Sequence, residues 1–274
     1  MRKIIFSLVM LAFTGLSQSA KAQHADTIAG GSFGGNLEWL LAVFNGDTSL
    51  SIGGADSIIP SYDNLFLPPW APYKNIIRSL VLYNEICIIG DSAFTDCINL
   101  TSLTMGCCIR RIGNNAFEGC RSLPSVFIDT SVRYIGDHAF DGCYAIETLT
   151  IPEDVEFIGD NAFGYCTGLS TVNFNALNCT MTNGFDDSAL LHPVFAQCNA
   201  LTILNISNQI KHIPDFAFAM CGLTSVTIPD SIRTIGMFAF YNCPNLTTVN
   251  FNAISGHSLG MYVWPHFTTL NIHA

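Results

Sequence analysis

Eleven cysteines, seven histidines and 21 acidic residues give this chain of 274 residues the groups for redox, metal or acid–base chemistry. Their spacing decides which of these is open to them. Cys97, Cys120, Cys143, Cys166, Cys198, Cys221 and Cys243 each follow a phenylalanine by three residues, at Phe94, Phe117, Phe140, Phe163, Phe195, Phe218 and Phe240. One cysteine at a fixed place in every repeat reads as a buried structural ladder, because a free cysteine packs as a small hydrophobe. A disulfide framework is the competing reading. Stacked repeats, however, point these side chains in parallel rather than at one another. Cys87, Cys107, Cys108 and Cys179 lie outside the ladder. Alignment of repeats puts Cys87 level with Arg110, and Cys108 shortly before it on the next repeat. Strands about 4.8 Å apart would bring Cys87 within disulfide range of Cys107 or Cys108. A bridge such as Cys87–Cys108 and three free thiols are the two alternatives, and Cys179 stays unpaired in both.

Asp91, Asp137, Asp160 and Asp215 recur at one repeat position and could supply oxygens to calcium. Caps on short helices explain them without metal, and Asn114 and Met237 break the series. His24, His138, His192, His212, His257, His266 and His273 have no metal-ligand spacing. No glycine-rich phosphate loop, nucleophile elbow or HExxH helix occurs. The expectation is a non-catalytic protein with no cofactor and no metal. Arg110, Arg133, Lys211 and Arg233 form a basic row that reads as a solvated turn face.

The phenylalanines are separated by 23, 23, 23, 32, 23 and 22 residues. A fixed period in this range marks a solenoid, whose units bury their apolar faces only against neighbours. In one unit, Ile135, Ala139, Phe140 and Cys143 follow the period of a short helix, with Asp137 as its cap. Leu149 and Ile151 then alternate with Thr148 and Thr150, as in a half-buried strand. Stacked strands make a parallel sheet whose outward residues are small, polar and almost uncharged. Thr150, Asn173, Asn205, Thr227 and Asn250 are binding candidates on that face. The 32-residue gap marks an insertion at 176–192 that carries Phe185, Asp186 and Asp187. Insertions in repeat arrays map to surface loops, which carry recognition.

The unit Ile-Gly-x-x-Ala-Phe-x-x-Cys resembles the leucine-rich repeat of the Treponema pallidum/BspA type, found in bacterial surface antigens. The resemblance covers residues 77–274, about seven to eight rungs with an incomplete last one. It implies a leucine-rich-repeat, right-handed β-α superhelix with a parallel sheet, and adhesion to host or bacterial surface components. Residues 23–76 resemble the small β-cap that precedes such repeats. There Asn45-Gly46-Asp47 between two alternating runs is a hairpin signal. Residues 1–22 read as a signal peptide: Arg2 and Lys3 precede an apolar run too short to span a membrane, and Ala20-Lys21-Ala22 sets cleavage before Gln23.

Removal of Arg2, Lys3 and Lys21 from 11 basic residues leaves 8 against 21 acidic ones, a net charge of −13. Such a surface repels nucleic acid and anionic lipid. The sequence thus points to a secreted or surface-displayed protein that binds a protein or cell-surface macromolecule. The alternative is a structural spacer module of a larger cell-surface assembly. The tail lacks a polar capping element, so the expectation is that Tyr262 and Trp264 cover it, that the chain pairs with a partner or with itself through its C-terminal edge, or that the natural protein is longer.

Overall fold

The computed structural model describes residues 26–32, 36–44, 46–181, 192–252, 258–259, 263–264 and 269–272. The leader at 1–22 and Phe185, Asp186, Asp187 and Tyr262 lie outside the described residues.

The chain opens with three antiparallel strands, β1 (Asp26–Ser32), β2 (Leu37–Phe44) and β3 (Asp47–Gly54). Leu37, Trp39 and Leu41 alternate inward on β2, as Leu50 and Ile52 do on β3. Gly46, at φ +87°, supplies the left-handed turn that joins them. β3 then pairs in parallel with Ser79–Leu82, so the hairpin covers the first rung of the solenoid.

All rungs but one contribute a strand to a front ladder: Ser79–Leu82, Ser102–Thr104, Thr148–Ile151, Thr171–Phe174, Ile203–Ile206, Ser225–Ile228, Thr248–Phe251 and Thr269–Ile272. The pairing is parallel and keeps equivalent residues level, as in Thr148↔Thr171↔Ile203. The ladder is interrupted at 124–127, where Pro124 has no N–H to donate, and again between Ile203–Ile206 and Ser225–Ile228, which belong to separate sheets. Two-residue strands on the opposite side, from Ile58–Ile59 to Thr180–Met181, form a second parallel ladder.

The expected helix in each rung is absent. Among the described residues helix is confined to the single 3-10 turn Ala71–Tyr73. The Ala-Phe-x-x-Cys segment is a chain of turns in which alternate N–H groups point to the next rung, while those between them, such as Cys97 N to Phe94 O (3.3 Å), close turns within their own. Ser92 N donates to Asn114 O, Phe94 N to Ala116 O and Asp96 N to Glu118 O, at 2.7–2.8 Å. The residues that alternate with these bonds sit beside left-handed positions, including Ser92 (φ 55°), Asn115 (φ 56°) and His138 (φ 54°). An α-helix needs an unbroken right-handed run, and positive φ at every rung prevents it.

The aspartates are corrected with the helix. Asp91 Oδ1 accepts from Asn114 N (2.8 Å), Asn114 Oδ1 from Asp137 N (3.0 Å) and Asp137 Oδ1 from Asp160 N (2.9 Å). Asp215 Oδ1 likewise takes Met237 N (2.7 Å). These four are rivets between rungs, not caps within one, whereas among the described residues Asp160 Oδ1 is buried without a hydrogen-bond partner and neither caps nor rivets. This also explains the glycine of the motif: a methyl on Gly159 would overlap Asp137 Oδ1 and its backbone nitrogen.

The core is a column of rings. Phe94, Phe117, Phe140, Phe163, Phe195, Phe218 and Phe240 stack face to face with centroids 5.2–5.8 Å apart. A tryptophan closes each end: Trp70 on Phe94 at 5.3 Å, and Trp264 on Phe240 at 4.8 Å. Trp70 also donates its Nε1–H to Ala93 O (2.8 Å), satisfying its polar edge inside the core.

Candidate interaction surface

The front ladder turns its alternate side chains outward, and the parallel register sets them in rows. Asn173 Nδ2 donates to Thr150 Oγ1 (3.1 Å), and Asn205 Nδ2 donates to Asn173 Oδ1 (2.8 Å). Further along, Asn250 Nδ2 donates to Thr227 Oγ1 (3.4 Å) and Asn271 Nδ2 to Asn250 Oδ1 (2.7 Å). The five sequence-predicted residues therefore fall into two hydrogen-bonded rows. Each amide is oriented by its neighbour, so the face is ordered before any partner arrives. It carries amides, hydroxyls and a few apolar side chains, with no charged residue at these outward positions. Phe185, Asp186 and Asp187, the other predicted binding residues, lie outside the described residues.

Two apolar features interrupt this polar surface, and the second of them was missed in the sequence. Phe127 stands 73% exposed on the front side, at the rung where Pro124 interrupts the ladder, and Ile203 is 50% exposed in the row of Thr148 and Thr171. Leu65, Phe66 and Leu67 are presented by a tight turn before the first rung. Asp63 Oδ1 accepts from the backbone N–H of both Leu65 and Phe66 at 2.7 Å. The run Leu-Phe-Leu-Pro-Pro was the available signal, since it falls outside the repeat and has no partner column. An open cavity of about 790 Å³ lies beside it, lined by Trp70, Lys74, Asp96 and Glu118.

The seven ladder cysteines are buried and free. Their thiols are not merely filling space. Cys120 Sγ donates to Phe94 O (3.4 Å), Cys143 to Phe117 O (3.3 Å), Cys166 to Phe140 O (3.3 Å) and Cys198 to Phe163 O (3.1 Å). A side chain that is small, apolar and still able to donate weakly suits this place better than alanine or serine. Burial pushes Cys97, Cys143 and Cys198 up to about 12, so they stay protonated and inert. Cys87 is half-buried, and Cys107 and Cys108 are exposed, all three as free thiols. Desolvation, followed by the neighbouring Cys107 and Cys87 thiols, pushes Cys108 up, while Arg110 pulls it down.

Two residues of the basic row, Arg133 and Arg233, are held by neighbouring groups. Arg133 reaches Asp154 (3.5 Å), Glu156 (3.8 Å) and the Thr130 carbonyl (2.5 Å), and Arg233 holds the Asp230 carbonyl (3.0 Å). Among the described residues no group of three or more His, Cys, Asp or Glu side chains is arranged to hold a metal ion. No helix of the described residues is long and apolar enough to cross a membrane.

The rung geometry has a counterpart in known sequences. The BspA type Leucine rich repeat region matches in six copies, over residues 72–192 and 188–272. The chain belongs to the BspA-type leucine-rich repeat family. Solved structures similar to this BspA-type protein include a leucine-rich repeat protein from Bacteroides ovatus. It is 20% identical, with 88% of this chain and 76% of that one covered and a TM-score of 0.46. The Treponema pallidum leucine-rich repeat protein is 22% identical over 67% of this chain and 86% of its own, with a TM-score of 0.48. The pneumococcal vaccine antigen PcpA is 15% identical over 91% and 89%, with a TM-score of 0.34. No curated protein matches the chain.

Proposed function

We propose that this protein is exported, acts at or near the cell surface, and adheres through its front face to a protein or other cell-surface macromolecule, without catalysis. The observation that carries this reading is the pair of pre-oriented rows, Thr150–Asn173–Asn205 and Thr227–Asn250–Asn271. A face whose amides are already fixed loses little conformational entropy on binding. Exposed Phe127 and Ile203 add apolar contact to a polar ground, as interface cores do. The leader pattern at 1–22 supports export, and the acidic balance disfavours nucleic acid and anionic lipid as partners. The insertion, with Phe185, Asp186 and Asp187, joins the proposal through its sequence alone.

The test is binding of fluorescently labelled residues 23–274 to epithelial and bacterial cells by flow cytometry. Saturable binding is expected, falling at least tenfold in the triple variant Thr150→Lys, Asn205→Lys, Thr227→Lys. Equal binding by both proteins would overturn the assignment of the face.

A second reading, a spacer joined through its C-terminal edge, is favoured by one observation. The last strand, Thr269–Ile272, pairs on one side with Thr248–Phe251 and leaves Leu270 47% exposed. Light scattering on residues 23–274 and on a chain ended after Asn252 separates the two. Self-association that the truncation alters puts the spacer ahead, and a monomer in both leaves the front face.

A further inference from the structure

We propose that Cys87 and Cys108 form a thiol–disulfide exchange site that staples two neighbouring turns of the solenoid. The turns are stacked by backbone geometry. Arg110 N donates to Cys87 O (2.7 Å), and Cys107 N donates to Asn84 Oδ1 (3.3 Å). The parallel pairing Ile88↔Arg111, with Ile86 and Ile109 buried beneath it, sets the register and places Cys108 level with Glu85. The Cys87 thiol turns back to Glu85 O at 3.6 Å, under the position of Cys108. Neighbouring rungs lie about 4.8 Å apart, and the two-residue offset puts the Cys87 and Cys108 α-carbons on a diagonal of about 7–8 Å, so the bridge forms only as the two turns draw slightly together. Cys107 is the poorer partner for Cys108: adjacent α-carbons are about 3.8 Å apart across a trans peptide, below the usual disulfide minimum of about 4.4 Å.

The co-reactant is a small external disulfide. The exposed Cys108, as thiolate, attacks one of its sulfurs, forms a mixed disulfide and releases one small thiolate. The Cys87 thiolate then attacks the Cys108 sulfur, forms the Cys87–Cys108 bond and releases the second thiolate. The two protein thiols lose two electrons and two protons, and the external disulfide is reduced to two thiols. The ladder cysteines and Cys179 are buried, so the exchange is confined to this cluster.

The experiment treats folded, reduced residues 23–274 with oxidised glutathione, alkylates without reduction, and maps the peptides by mass spectrometry. The expected map has a Cys87–Cys108 cross-link, an alkylated Cys107 and no retained glutathione. Cys107→Ser should form the same bridge, and Cys87→Ser should keep one glutathione on Cys108. A bridge that contains Cys107, glutathione retained on the wild-type protein without a cross-link, or three unmodified thiols would overturn the proposal. The wild-type map alone is decisive if a variant fails to fold.

Discussion

The ring column makes the strongest quantitative prediction. Phe140 is fully buried at mid-array and stacks on Phe117 at 5.2 Å and on Phe163 at 5.3 Å. Replacement by leucine keeps most of the apolar volume but gives up both stacks, each worth about 0.5–1.5 kcal/mol. Phe140→Leu should therefore cost about 1–3 kcal/mol. Phe140→Ala also leaves a cavity that rigid neighbouring rungs cannot fill, and should cost about 4–5 kcal/mol. Against a total stability of about 5–15 kcal/mol, the second loss comes close to unfolding the protein. In an array where each rung touches only its neighbours, a weak middle also divides the cooperative unit. Urea denaturation of reduced protein, followed by far-ultraviolet circular dichroism, reads both effects. The expected curve for Phe140→Ala is shifted to low urea and broadened or split. A loss below about 2 kcal/mol with one sharp transition would mean that the column does not hold the rungs together.

Asp137→Ala removes the acceptor of the Asp160 N–H and should cost about 1–3 kcal/mol. Asp137→Asn should be nearly silent, since Asn114 already serves in the same series; amide exchange at Asp160 reads the difference. Burial holds Cys97, Cys143 and Cys198 near 12, against 9.0 for an ordinary thiol, so the unfolded chain releases these protons first. Their contribution is present in full below pH 9 and is lost as pH rises towards 12, so urea midpoints under reducing conditions should fall across that window. The hydrogen bond from His138 to Asp141 (2.7 Å) raises the histidine above 6.5, against a smaller lowering by burial. That stability is present in full below pH 6.5 and is lost as pH rises through the raised value; His138→Ala should remove this slope from the midpoint-versus-pH curve.

Much of this architecture was legible because one physical demand repeats. Seven phenylalanines at a near-constant spacing have to stack on something, and only the equivalent residue of the next rung is available. The alternation in Thr148–Ile151 likewise announced a strand with one wet face. The helix was misread because Ile135, Ala139, Phe140 and Cys143 satisfy a helical period while the backbone between them does not. Gly119 and Gly142, at φ 70° and 68°, were the visible hint that this segment reverses hand. The aspartates were misassigned for the same reason: a side chain ready to accept an N–H can serve its own chain or its neighbour's, and sequence spacing does not separate the two. On the front face the residue types were readable, but their coupling was not. That Asn205 bonds Asn173 across a 32-residue separation depends on a register that the insertion could have shifted. Phe127 faces outward, as the repeat pattern of its rung requires, although Pro124 removes the strand there.

The most direct test of the central claim, that the pre-ordered front face is the binding surface, is biolayer interferometry against immobilised extracellular-matrix and bacterial surface proteins. Wild-type residues 23–274 would be compared with Asn173→Arg/Asn250→Arg, and with Glu156→Arg on the back ladder's side as a control. The account predicts a partner whose affinity falls at least tenfold in the front-face variant and is unchanged in the control. A partner held equally by all three proteins, or no partner for the wild type, would contradict it.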